Sequence, residues 1–186
     1  MAEKLVHNSA LTYLDLSQNR ITRDGAYQLS LLLKRDTPLR VLDLAGNRLE
    51  DDGAIHLADA LTVNSRLANL VVTRNRIGVD GLVALAKALH VNRGLSNIYI
   101  WGNDLGQKAA EAFKGLVDAG RILPKNTDVQ PYVVDGVTIL AELSHGVQTE
   151  YYWFPRYGPQ SHLYKTEERE EGGNLVPYLK ITGSAY

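Results

Sequence analysis

The chain has 186 residues, the length of one domain or of one domain with an appendage. Apolar residues make up 45% and charged residues 22%, which excludes wholesale disorder. A net charge of -1 gives no polyelectrolyte attraction to nucleic acid or an anionic membrane, and the absence of cysteine excludes disulfides, thiolate metal sites and cysteine nucleophiles.

From the N-terminus the chain repeats itself. Leu11-x-x-Leu14-x-Leu16-x-x-Asn19-x-Ile21 returns as Leu39-x-x-Leu42-x-Leu44-x-x-Asn47-x-Leu49. It returns again as Leu67-x-x-Leu70-x-Val72-x-x-Asn75-x-Ile77, and finally as Leu95-x-x-Ile98-x-Ile100-x-x-Asn103-x-Leu105. The register is 28 residues, without insertion. The period-two apolar pair predicts a short strand. Apolar positions then fall at helical spacing, as in Ala26, Leu29, Leu32 and Leu33, and predict an amphipathic helix. Asp24, Asp52 and Asp80 stand where N-caps are expected. Such units cannot bury their apolar faces alone, so they stack into a solenoid with a parallel sheet on its inner side.

The repeat resembles the ribonuclease-inhibitor-like leucine-rich repeat family over about residues 3 to 123. The resemblance implies an α/β solenoid of four 28-residue strand–helix units. It also implies non-catalytic protein binding, because relatives inhibit enzymes, activate GTPases, cap filaments or scaffold assemblies. Leu5 and Asn8 lie 28 residues before Leu33 and Asp36, so the first ten residues read as the last turn of a helix whose start is missing. Either the chain is truncated there, or something else covers a bare sheet edge. The expected consequence is an edge backed by Leu5, Leu14 and Leu16 that is buried against another chain or another copy.

The repeat stops near Gly120, and Pro124 marks the expected boundary between a solenoid, residues 1–123, and a β-rich tail, residues 124–186. Pro131 to Val134, Asp135-Gly136 and Val137 to Ala141 read as a hairpin with a two-residue turn. Ser144-His145-Gly146 reads as a turn before a third strand, Val147 to Phe154. Residues 155 to 173, rich in Pro, Gly and Glu, read as a mobile loop, and Asn174 to Ile181 as a last strand. Pro131 to Gly136 and Tyr151-Tyr152-Trp153 resemble the C-terminal region of one leucine-rich repeat-containing protein. That likeness implies a subunit of a ciliary or axonemal assembly in the cytoplasm, or alternatively a nucleolar factor.

Four asparagines, Asn19, Asn47, Asn75 and Asn103, are expected to satisfy backbone groups of the turns rather than form a site. Arg20, Arg48 and Arg76 form a basic ladder on the loop rim, where neighbouring charges about 5 Å apart repel by roughly 0.8 kcal/mol in water. Asp24, Asp52 and Asp80, each four residues later, are expected to neutralise them; an anionic partner is the alternative. The concave face takes Tyr13, Asp15, Ser17 and Gln18 from the first unit and Val41, Asp43, Ala45 and Gly46 from the second. The third and fourth contribute Asn69, Val71, Thr73 and Arg74, then Asn97, Tyr99, Trp101 and Gly102. Partner contact is expected at Tyr99 and Trp101, with Arg74, Asp43 and Asp15 beside them, unless the tail folds over the two aromatics.

Chemistry-bearing patterns are missing. The histidines, at positions 7, 56, 90, 145 and 162, have no metal-binding spacing, and phosphate-loop, nucleophile-elbow and zinc-protease motifs are absent. The sequence therefore predicts no catalytic residue, no cofactor and no metal. Partners are expected to be proteins in a complex, with no small-molecule substrate, no membrane and no nucleic acid. The competing class is a GTPase-activating protein of the Ran-activating type, whose functional residues lie on loop rims such as that of Arg20, Arg48 and Arg76.

Overall fold

The computed structural model describes residues 8, 10–35, 37–143, 164–171 and 174–181. They form two compact units, divided between Leu143 and Ser144. In the first, strand and helix alternate: β1 (Tyr13–Asp15), α1 (Arg23–Leu33), β2 (Val41–Asp43), α2 (Glu50–Leu61), β3 (Asn69–Val71), α3 (Val79–Val91), β4 (Asn97–Tyr99) and α4 (Gln107–Asp118). A 3-10 turn, Pro124–Asn126, then leads into the hairpin β5 (Val129–Val134) and β6 (Val137–Glu142).

The 28-residue period becomes a spatial register. The parallel sheet runs β1-β2-β3-β4, with Leu14 beside Leu42, Leu42 beside Leu70 and Leu70 beside Ile98. Their side chains face the helices and are buried, as are Leu29, Leu57, Leu85 and Phe113, one per helix. Each such side chain contributes about 1.5–3 kcal/mol by leaving water. No unit supplies a closed core; each helix packs on its neighbour. The repeated Asp-Gly step has a packing reason: a Cβ on Gly53 would come within 3.2 Å of Ala26 Cβ, and one on Gly81 within 3.0 Å of Ala54 Cβ. Glycine lets the first turns of adjacent helices approach.

The aspartates of that step are not N-caps. Thr22, Leu49 and Gly78 hold the cap positions without a side-chain capping bond, and Asp24, Asp52 and Asp80 lie inside the first turn. There they face the positive end of the helix dipole instead of bonding a specific N–H. Asp51 does bond a helix start, but the next one, accepting Gly81 N–H at 2.8 Å.

The asparagines behave as expected. Asn47 Nδ2 donates to the carbonyls of Leu44 (2.8 Å) and Leu16 (2.9 Å), and its Oδ1 accepts Ile21 N–H at 2.9 Å. Asn103 repeats this with Ile100, Val72 and Ile77. A second row runs past the C-terminal ends of the helices, where Asn64 donates to Leu33 carbonyl at 2.7 Å and Asn92 to Leu61 carbonyl at 2.6 Å.

Two charged side chains continue these rows past the fourth unit. Ile100 N–H and Trp101 N–H reach Asp128 Oδ1 and Oδ2 at 2.8 and 2.9 Å. In earlier units the amide equivalent to Ile100, that of Leu44, bonds a carbonyl of the next strand, and the amide equivalent to Trp101, that of Ala45, bonds the Asp43 carboxylate. On the other side, the Arg121 guanidinium donates to the carbonyls of Leu89, Asn92 and Leu95. Burial, and then the like charge of Arg93, lower its pKa below the ordinary arginine value. The expected boundary at residue 124 therefore cuts through a continuous structure. The hairpin packs on α4, and Thr127 bridges Ile98 in parallel, so residues up to 143 belong with the repeats.

In the second unit β7 (Tyr164–Glu171) pairs antiparallel with β8 (Asn174–Ile181). The last strand was legible in the sequence. The loop expected over residues 155–173 was not correct as a whole, since β7 fills part of it. Its polar composition argued against a strand, but pairing to β8 satisfies its backbone regardless of side-chain polarity. The third strand expected over Val147 to Phe154 lies outside the described residues.

Candidate protein-binding surface

Each strand of the solenoid is three residues long, so its inner face is set by the residues flanking the buried middle position. Rows of like register run across it: Tyr13, Val41, Asn69 and Asn97; then Asp15, Asp43, Val71 and Tyr99. The amide row is linked. Asn97 Nδ2 donates to Asn69 Oδ1, and Asn126 Nδ2 donates to Asn97 Oδ1 at 2.5 Å.

The acidic residues of this face are engaged in local structure. Asp15 Oδ1 accepts Ser17 N–H at 2.8 Å, and Asp43 Oδ1 accepts Ala45 N–H at 2.9 Å. Asp15 is exposed, but Asp43 is only 4% exposed, which leaves it little surface to offer. Leu14 belongs to the buried core, Leu16 is half-buried against it, and Leu5 lies outside the described residues.

Arg74 and Trp101 are joined through their backbones, and Trp101 packs against the core. Tyr99 and Trp101 are half-buried on the fourth unit, and Arg74 N–H donates to Trp101 carbonyl at 2.9 Å. Arg74 is exposed, has φ of 53°, and lays its Cγ 2.6 Å from where a Cβ on Gly102 would be. A non-glycine residue in the left-handed region costs roughly 1–2 kcal/mol. Gln18 does the same in the first unit, over Gly46.

On the rim, Arg20, Arg48 and Arg76 are exposed, and among the described residues they form no ion pair. The expected local neutralisation is replaced by a bridge between units: Arg23 Nη1 meets Asp52 at 3.0 Å, which raises the Arg23 pKa. Both partners are well exposed, so the pair contributes little to stability. His56 is half-buried and meets the Tyr27 ring edge-on at 5.1 Å, whereas His90 is exposed in the last turn of α3. The other histidines lie outside the described residues.

Three segments, residues 7–30, 35–58 and 64–86, match the family model described as Leucine Rich repeat. The units are leucine-rich repeats. Over 47 residues the chain is 51% identical to leucine-rich repeat-containing protein 34 of Rattus norvegicus. The same length is 49% identical to that protein in Mus musculus and Homo sapiens. The match covers 25% of this chain and 10–11% of those proteins, so it spans about a tenth of the relatives' length. Among solved structures, the leucine-rich repeats resemble leiomodin-1 actin-binding site 2 with a TM-score of 0.61 at 23% identity. The likeness covers 66% of this chain and 73% of that one, and at that identity it shows the fold alone.

Sequence reasoning missed two features. The hairpin's outward face is apolar, with Tyr132, Val134 and Val137 at 44%, 48% and 43% exposure. Strand alternation in β5 and β6 contains that signal, since the set Tyr132, Val134, Val137, Ile139 and Ala141 is apolar, with Gln130 as its polar member. The second is the pair of side-chain caps, Asp128 and Arg121, for which no period or motif gives a warning.

Proposed function

We propose that the leucine-rich repeats serve as a non-catalytic protein-binding platform within a larger assembly, with Tyr99, Trp101 and Arg74 as the contact. The placement of those three residues in the third and fourth units, at or just past the ends of β3 and β4, carries this reading. Tyr, Trp and Arg are the types enriched at binding hot spots, and a stacked sheet holds them at little further entropic cost. The backbone strain at Arg74 is the kind of local cost that clusters at functional sites.

As a finer placement we propose a ciliary or axonemal complex in the cytoplasm, with a nucleolar role as its alternative. Tagging the protein in its native cell, cross-linking and mapping the cross-links tests both place and partner. Cross-links centred on strands β3 and β4, lost in Tyr99→Ala and Trp101→Ala, are the expected result. A partner retained at full strength by both variants removes the concave face from the interface.

The exposed arginine rim favours one other reading, activation of a small GTPase. Stimulated GTP hydrolysis by the purified chain that falls in Arg48→Ala and Arg76→Ala supports it, and no stimulation removes it.

A further inference from the structure

The rim between the second and third units departs from the rest of the array. Between the first and second, Arg48 N–H donates to Ile21 carbonyl at 2.9 Å and Ile21 N–H to Asn47 Oδ1 at 2.9 Å. Between the third and fourth, Asp104 N–H donates to Ile77 carbonyl at 2.9 Å and Ile77 N–H to Asn103 Oδ1 at 3.1 Å. The 28-residue register predicts Arg76 N–H on Leu49 carbonyl and Leu49 N–H on Asn75 Oδ1, and neither bond is made. Instead Glu50 N–H donates to Asn75 carbonyl at 3.2 Å, and Leu49 carbonyl accepts Gly53 N–H at 3.0 Å.

Two peptide planes are turned over here. Glu50 has φ of 56°, whereas Thr22, Gly78 and Gly106, which hold the same place in the other units, have φ of -100°, -83° and -56°. Arg76 has φ of 57°, a sign that Arg20, Arg48 and Asp104 do not share. In a planar trans peptide C=O and N–H point in opposite directions, so turning the plane exchanges one for the other. The Leu49–Glu50 turn sends Leu49 carbonyl into the start of α2, and the Asn75–Arg76 turn brings Asn75 carbonyl to Glu50 N–H. Gly53 gives a local reason. The matching amide one unit on, Gly81 N–H, is taken by the Asp51 carboxylate, but Arg23 holds the place of Asp51 one unit earlier and offers Gly53 no acceptor.

The two arrangements balance bond for bond. The observed one holds Glu50 to Asn75 and Gly53 to Leu49; the other would hold Arg76 to Leu49 and Leu49 to Asn75 Oδ1. Against the observed one stand two non-glycine residues in the left-handed region and the buried Asn75 Oδ1, which has no donor among the described residues. We propose that the Leu49–Glu50 and Asn75–Arg76 peptides form a two-state joint between the second and third units, turning over together to exchange one pair of bonds for the other. In the observed state one of its two bonds crosses between units, and in the second state both do, so the joint sets how firmly the two halves of the array are tied at this rim. A partner that grips units on both sides has a state to select. The joint does not rest on which surface that partner uses.

The test is nuclear magnetic resonance on the full chain and on three variants of Glu50. Relaxation dispersion, which reads motion on the μs–ms scale, is expected at Leu49 and Arg76 and not at Ile77 and Asp104. Hydrogen exchange at Arg76 reads the position of the joint, because its amide is bonded in the second state alone. Glu50→Gly removes the left-handed cost at that residue and holds the observed state, so Arg76 exchanges at least as fast as in the unsubstituted chain. Glu50→Thr, which copies Thr22, is β-branched and resists positive φ, and it slows Arg76 exchange by about tenfold. Glu50→Pro forbids positive φ and drives Leu49 out of the α region, so it excludes the observed state and slows Arg76 further. Unchanged exchange at Leu70 certifies the fold of each variant, and if Glu50→Pro does not fold, Glu50→Gly against Glu50→Thr decides. Equal Arg76 exchange in those two overturns the proposal. Flat dispersion profiles at Leu49 and Arg76 also overturn it, since they mark a fixed local distortion.

Discussion

The Asp128 carboxylate accepts Trp101 N–H at 2.9 Å, and through its other oxygen Ile100 N–H at 2.8 Å. One side chain thus replaces a backbone carbonyl of a further strand, which Leu44 N–H finds in Val71, and the carboxylate that Asp43 offers to Ala45 N–H. Asp128 is 2% exposed, so deleting it strands two donors away from water. Hydrogen bonds to a charged acceptor contribute about 1.5–3 kcal/mol each, and Asp128→Ala is expected to cost about 3 kcal/mol or more. Asp128→Asn keeps a single carbonyl acceptor and should cost about half as much. Urea unfolding measures both. A midpoint within error of the unsubstituted chain would show that water replaces the carboxylate.

Arg121 makes the matching closure on the helical side, and its planar fork is what reaches three carbonyls at once. Arg121→Ala should lower stability by about 2 kcal/mol. Arg121→Lys should recover only part of the loss, because a point charge cannot bond Leu89, Asn92 and Leu95 together. Full recovery by lysine would mean that charge alone matters at this position.

These two residues also show where sequence reading stopped. Leu42, Leu70 and Leu85 were legible because a repeated unit forces equivalent residues into equivalent packing, and 28-residue spacing converts directly into sheet register. Asp128 and Arg121 occur once. Their roles depend on backbone groups left open by the end of the array, which no periodicity encodes. The tail failed for a related reason: composition identifies exposed polar segments, but strand pairing between β7 and β8 is a backbone property. Of the expected contact residues, Asp43 could be read as concave but not as buried, since its burial comes from neighbours 28 residues away on either side.

The asparagine row should be graded by burial. Asn75 is fully buried and donates to Leu44 carbonyl at 2.8 Å and Thr73 carbonyl at 3.0 Å. Its Oδ1 has no donor among the described residues. Asn75→Ala removes two buried donations, while Leu44 carbonyl keeps Asn47 Nδ2 and Thr73 carbonyl keeps Gly46 N–H, for a cost of about 1–2 kcal/mol. Asn19 is exposed, and water can take over its bonds to Leu16 and Ser17, so Asn19→Ala should cost under about 1 kcal/mol. Equal losses in thermal unfolding would contradict a purely local, turn-satisfying role.

The left-handed positions give the last prediction. Gln18, Gly46, Arg74 and Gly102 occupy the same place in successive units, with φ of 57°, 68°, 53° and 78°. The two long side chains lie over the two glycines: a Cβ on Gly46 would meet Gln18 Nε2 at 2.7 Å, and one on Gly102 would meet Arg74 Cγ at 2.6 Å. Gly102→Ala therefore brings two costs together, roughly 1–2 kcal/mol of left-handed strain and displacement of the Arg74 side chain. Arg74→Gly relieves the strain already present but gives the unfolded chain more freedom, about 0.5–1 kcal/mol, so its net effect on stability should be within about 1 kcal/mol of zero. The two variants consequently separate stability from binding. Arg74→Gly should fold as well as the unsubstituted chain yet lose partner affinity, while Gly102→Ala should lose both, because it moves the same guanidinium. Paired unfolding and partner-binding measurements check this. Undiminished binding by stable Arg74→Gly would remove Arg74 from the contact and leave Tyr99 and Trp101 to carry it.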